Sequence, residues 1–175
     1  MAGDNYGNSE EVEMAWAMQA YHHAETYFNL VSSVDSRQLR LTKHDDELYK
    51  HFRHDFPDMK IEVLQVDELK SDTAKRKWRP FCNHFDGTIK DFNFGTLLRL
   101  DCKSGYTEEN TVFVTRVQFF AVEVARNREG LNLAVWKVHK HKDKADAAGK
   151  VEAPKVEEKV AGSEEAGIND AVATS

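Results

Sequence analysis

Thr111-Val112-Phe113-Val114-Thr115-Arg116-Val117-Gln118-Phe119-Phe120-Ala121-Val122-Glu123-Val124-Ala125-Arg126-Asn127-Arg128-Glu129-Gly130 is the stretch on which the fold turns. Its first five residues are β-branched or aromatic and favour an extended chain. From Val117 onward the apolar residues Val117, Phe120, Ala121 and Val124 recur at helical spacing, and Gly130 supplies a C-terminal stop. The pattern predicts a strand feeding a helix over residues 115–128. The competing pattern is one long Val- and Phe-rich strand over 112–124.

Upstream, helical patterns dominate. Ser9 or Asn8 precedes Glu10 and Glu11, an N-cap followed by first-turn carboxylates. Val12, Trp16, Ala20, His23, Tyr27, Leu30, Val31 and Val34 then repeat every three or four residues, so a long amphipathic helix is predicted over 9–33, broken by Asp35-Ser36. Thr42 with Asp45 reads as the cap of a second helix carrying Leu48, Tyr49 and Phe52, stopped by Pro57. Ile61 and Val63 alternate with polar neighbours, which predicts a short strand over 59–66. A third helix starts at Ser71 or Asp72, aligns Ala74, Trp78, Phe81, Cys82 and Phe85, and closes at Gly87. Pro80 within it implies a kink or two short helices. Phe94 to Asp101 reads as the second strand, and Leu131 to Trp136 as a segment packing back on the domain. The fold class expected is therefore α+β and predominantly helical. It has a long N-terminal helix, three further helices and a small two-stranded antiparallel element. Trp16 and Trp78 fall on apolar faces and are expected in the core.

All 18 aromatic residues precede Lys137, while the 39 residues that follow are rich in Lys, Ala and acids. Residues 1–136 are thus expected to form one globular domain, large enough for its own core, and 137–175 a disordered charged tail. A net charge of −6 argues against direct nucleic-acid binding, whose footprint is basic. No apolar run exceeds five residues, too short for a membrane span or a signal-peptide core. Cys82 and Cys102 form no Cys-x-x-Cys pair, so a reduced cytoplasmic chain, working as a monomer, is the simplest expectation.

Catalytic and metal chemistry finds little support in the pattern. His22 and His23 are neighbours and point about 100° apart on a helix. His51 and His54 are three apart and could share a face, but no His-Glu-x-x-His motif surrounds them, and they read as ordinary surface histidines. Cys82-x-His84 reads as a buried thiol beside a surface histidine. The paired carboxylates Asp45-Asp46 sit where a helix dipole favours acids. No glycine-rich phosphate loop and no Gly-x-Ser-x-Gly elbow is present. Neither an enzyme nor a cofactor or metal site is expected.

The polar residues that interrupt the apolar text are more informative. Arg99, Asp101 and Arg116 are candidates for internal ion pairs. Tyr106, Glu108, Glu109 and Asn110 in one loop, with Arg126, Asn127, Arg128 and Glu129 at a helix end, are candidates for a contact surface. If strand and helix pack antiparallel, that helix end is expected near Phe94 and Gly95, away from the loop. The surface would then be a stripe with acids at one end and arginines at the other.

The same residues carry a resemblance. Phe94-Gly95-Thr96-Leu97-Leu98-Arg99-Leu100-Asp101, Gly105-Tyr106-Thr107-Glu108-Glu109-Asn110-Thr111, and the run from Gln118 to Gly130 resemble the eukaryotic polysaccharide biosynthesis domain-containing protein family. Trp78-Arg79-Pro80-Phe81-Cys82 and the long first helix match as well, so the resemblance covers roughly residues 10–132. The chain departs from the family pattern at Thr115, where a proline precedes the arginine. Despite the family's name, no sugar-active constellation is present. The resemblance implies instead a non-enzymatic cytosolic chaperone that engages the GTP-binding domain of translation elongation factor one alpha as it emerges from the ribosome. The alternatives are an interaction adaptor with another client and an enzyme of polysaccharide or nucleotide-sugar metabolism.

Overall fold

The computed structural model describes residues 10–149. Helix α1, Glu10–Ser33, opens with three acids in its first turn. Its buried stripe is Ala20, Ala24, Tyr27 and Val31. The two alanines let the helix approach closely, which displaces the stripe from the larger residues. Val12, Leu30 and Val34 are exposed, and Trp16 is only half-buried. Asp35 ends the helix region by accepting the Arg37 N–H at the head of a 3-10 turn, Ser36–Gln38.

Helix α2 spans Asp45–Asp55, but Thr42 does not cap it. The buried Asp45 carboxylate reaches backward instead, accepting from the N–H groups of Leu41 and Thr42 and from the Thr42 hydroxyl. Helix α3, Asp67–Lys70, is a single turn not expected from the pattern. Helix α4 runs unbroken over Asp72–His84, with Ser71 as its N-cap accepting from Ala74 and Pro80 on an exposed position inside it.

The strand-then-helix reading of 111–130 holds. Strand β1, Gly95–Arg99, pairs antiparallel with β2, Thr111–Thr115, in the register Gly95 to Thr115 through Arg99 to Thr111. Helix α5, Arg116–Arg128, follows at once, and Thr115 and Gln118 form a capping box. Its end is a Schellman turn. Gly130 has φ +76, the Gly130 N–H reaches the Asn127 carbonyl, and the Leu131 N–H reaches that of Arg126.

The expected strand over 59–66 is a correction. Val63 makes one isolated antiparallel bridge to Asp101, and the segment buries Ile61 and Leu64 while exposing Val63. A three-residue spacing cannot present one face of a strand. The Ile61 carbonyl is taken by the Arg126 side chain rather than by a neighbouring strand. The two strands that pair are therefore β1 and β2.

Helix α6, Leu133–Gly149, also corrects an expectation. The boundary placed at Trp136 falls inside it, and 137–149 of the supposed disordered tail are helical. Asn132 and Val135 are buried, so the first turn is anchored on the domain. Elongation into an Ala- and Lys-rich sequence then avoids a fresh nucleation cost. Lys140 lies over the Trp136 ring at 4.9 Å. Residues 150–175 lie outside those described.

The core is an aromatic stack between α2 and α4, continued by α5. Trp78 stacks on Phe56 at 4.1 Å and meets Phe81 edge-on at 5.4 Å, and its indole N–H donates to the Glu68 carbonyl. Side chains 137–148 take no part and are exposed. Deleting residues 145–175 should accordingly leave the melting temperature within a degree or two of the full chain. A drop of more than about 4 °C, the equivalent of roughly 1 kcal/mol, would reveal packing by that segment.

Candidate functional site

Helix α5 sends Glu123 and Arg126 into the domain rather than toward solvent. Glu123, Arg126 and Arg99 have no exposed surface. The Glu123 carboxylate accepts from Arg126 Nη1 at 2.8 Å and from Arg99 Nη2 at 3.4 Å. The Tyr27 hydroxyl and the Asn132 side-chain amide donate to it as well. Burial alone would raise the Glu123 pKa, yet the two guanidiniums and these donors hold it down at about 2. Burial and the neighbouring carboxylate push the Tyr27 phenol well up, so it stays a donor.

Arg126 does more than neutralise Glu123. It donates to the carbonyls of Ile61, Arg99 and Leu100, fastening the 59–66 segment to the end of β1. Arg99 donates to the Cys102 carbonyl and to Asn132, with its guanidinium over the Phe28 and Tyr106 rings. This network ties α1, β1, α5 and the start of α6 together. It is a structural keystone, and Arg126 and Asn127, expected at a contact surface, are buried in it.

The remaining expected residues divide. Glu108 and Glu109 are exposed in the loop between β1 and β2. Asn110 holds that loop in shape: its oxygen accepts from the Asp101 N–H, and its amide donates to the carbonyls of Asp101 and Gly105. Tyr106 is half-buried and donates to the Leu97 carbonyl. Arg128 pairs with Asp46 and covers the Tyr49 ring, and Glu129 pairs with Arg53 at 2.7 Å. Arg99 is an internal ion-pair residue as expected. Asp101 and Arg116 form no ion pair with another described residue. Asp101 accepts the Lys103 N–H, and Arg116 lies over Phe120 at 5.2 Å.

The expected direction of the stripe is reversed at one end. Since α5 turns back along β2, its C-terminal residues arrive beside Arg99 and Leu100, next to the acidic loop. At the opposite end of the hairpin lies a face that periodicity did not single out. Trp16 tilts against Phe113 at 4.7 Å and Phe94 at 6.2 Å, and both phenylalanines are partly exposed. Gly95 permits this packing, because a Cβ there would lie 2.3 Å from the Phe113 ring. Beside these rings opens a cleft of about 460 Å³ bordered by Lys70, Lys75 and Arg79. Lys70 lies over the Phe113 ring at 5.7 Å, and burial together with Lys75 lowers its pKa. The signal available in the sequence was an aromatic residue just before β1, Phe94, and another within β2, Phe113.

Together these features define a small, predominantly helical α+β domain with a buried polar keystone and an aromatic, charge-flanked outer face. A profile of the PBDC1 protein family matches residues 12–137, and the chain belongs to that family. It is 59% identical to human Protein PBDC1 over 136 residues, which is 78% of this chain but only 58% of the human protein's length. Mouse Protein PBDC1 is 54% identical over 85% of this chain and 75% of its own. A Saccharomyces cerevisiae protein solved by solution NMR has a TM-score of 0.68 at 42% identity, covering 78% of this chain and 97% of that one. None of these names carries an enzymatic activity. Among the described residues no helix is long and apolar enough to cross a membrane.

Proposed function

We propose that this chain is a non-enzymatic cytosolic chaperone of translation elongation factor one alpha, holding the factor's GTP-binding domain until that domain folds. The reading rests on the function the family resemblance implies. The observation that carries it on this molecule is the exposed aromatic face at one end of the hairpin with the acidic loop at the other. Such a surface suits a reversible contact, since modest apolar area gives adhesion while the flanking charges set orientation. The buried keystone fixes the hairpin on which both ends are displayed. Glu108 and Glu109 face solvent and are the carboxylates offered to a basic client.

Charge at an interface rim acts mainly on the encounter rate. Glu108→Lys combined with Glu109→Lys should slow association with the purified GTP-binding domain, and more at low salt than at high. Stopped-flow association traces, with circular dichroism to verify folding, provide the measurement. Unaltered rates in a folded double variant would remove the acidic loop from the contact surface and leave the Trp16, Phe94 and Phe113 face as the place to test next.

A further inference from the structure

Two histidines and a carboxylate converge where α2 meets the end of α4, outside the face described above. Glu47 and His51 are four residues apart on α2 and therefore share one face. His84, in the last turn of α4, reaches across to them. Its Nε2 lies 3.0 Å from a Glu47 carboxylate oxygen, and its ring stands 4.0 Å from that of His51. One ligand atom from each of the three lies within 4.8 Å of the others.

We propose that Glu47, His51 and His84 form a zinc-binding site that clamps α2 to α4. Zinc bonds of 2.0–2.2 Å to nitrogen and oxygen place tetrahedral ligands about 3.3 Å apart, so small side-chain rotations close this triangle around one ion. Two imidazoles and a carboxylate are the borderline donors that favour zinc over magnesium or calcium, which seek oxygen-only shells. Glu47 and His84 are partly exposed, so a water completes the fourth position and the ion enters from solvent. The buried Phe85 meets the His51 ring edge-on at 5.8 Å on the inner side. The neighbouring His54 takes no part, since it pairs with Asp55. Sequence spacing pointed at His51 with His54, whereas the partner comes from another helix.

The test is calorimetric titration of the full chain with zinc chloride, alongside thermal melts. One ion should bind per chain, and saturating zinc should raise the melting temperature by about 4 °C or more, because an ion bound only to the folded state stabilises it by mass action. His84→Ala and Glu47→Gln, both at partly exposed positions, should each lose at least tenfold in affinity and most of the thermal shift. The double variant His139→Ala/His141→Ala on α6 should bind as the parent does. The proposal is overturned if zinc does not bind, if His84→Ala and Glu47→Gln keep parental affinity, or if binding disappears with His139 and His141.

Discussion

Replacing Glu123 by Gln should destabilise the domain by about 3–5 kcal/mol, a large part of the 5–15 kcal/mol that usually separates folded from unfolded. The substitution barely changes shape. It leaves Arg99 and Arg126 buried with no counter-charge. Neither can move to water, because both are fully buried and tied to the carbonyls of Ile61, Arg99, Leu100 and Cys102, while Arg99 Nε already lacks a partner. The expected readout is a urea midpoint far below the parent's at neutral pH. Acid titration supplies a second test. The folded pKa of Glu123, about 2, lies below the unfolded value of 4.5. Its contribution of about 3 kcal/mol is therefore complete above pH 4.5 and is lost as pH falls toward 2. Glu123→Gln should flatten that part of the acid limb, leaving only the slope from other carboxylates such as Asp46, held low by Arg128. A variant with the parent's midpoint and acid limb would mean that solvent reaches the two guanidiniums.

Local signals carried most of the architecture. Thr115 and Gly130 mark the ends of α5 because a capping box and a Schellman turn are written in the residues that form them. Failures came where tertiary partners decide. Ile61 belongs to an extended segment with one bridge because Arg126, 65 positions away, takes its carbonyl. Helix α6 persists through a polar sequence because Val135 and Asn132 anchor its start. The candidate site is the part least legible in the sequence, for a related reason. Arg126 and Asn127 are polar residues in a helix end and look solvated on paper, but the buried Glu123 carboxylate draws Arg126 inward, and Tyr27 and Asn132 hold Asn127 beside it. Glu123, set among Phe120, Ala121, Val122 and Val124, was the visible signal of that interior charge. Similarly, the aromatic face depends on Trp16 meeting Phe113 across the two halves of the chain, which no single periodic pattern encodes.

Trp16 and Trp78 both fall on apolar helix faces, but their surroundings predict different responses to truncation. Trp78 is 2% exposed, stacked on Phe56 and edge-on to Phe81, with its indole N–H bonded to Glu68. Trp78→Ala empties the centre of the aromatic stack and should cost about 3–5 kcal/mol, yielding an unfolded or aggregating protein. Trp16 is half-buried and packs on the partly exposed rings of Phe94 and Phe113 and over Gly95 at the cleft's edge. Truncation there removes part of an apolar contact and two aromatic pairs, so about 1–2 kcal/mol is expected and the fold should survive. Near-ultraviolet circular dichroism with thermal melts of the two variants separates the cases. A native-like spectrum for Trp78→Ala would contradict the packing of α4 against α2. A collapsed Trp16→Ala would make that residue a pillar of the hairpin. If Trp16→Ala stays folded yet binds the GTP-binding domain of the elongation factor less well, the aromatic face becomes the contact, with Lys70, Lys75 and Arg79 forming its charged border.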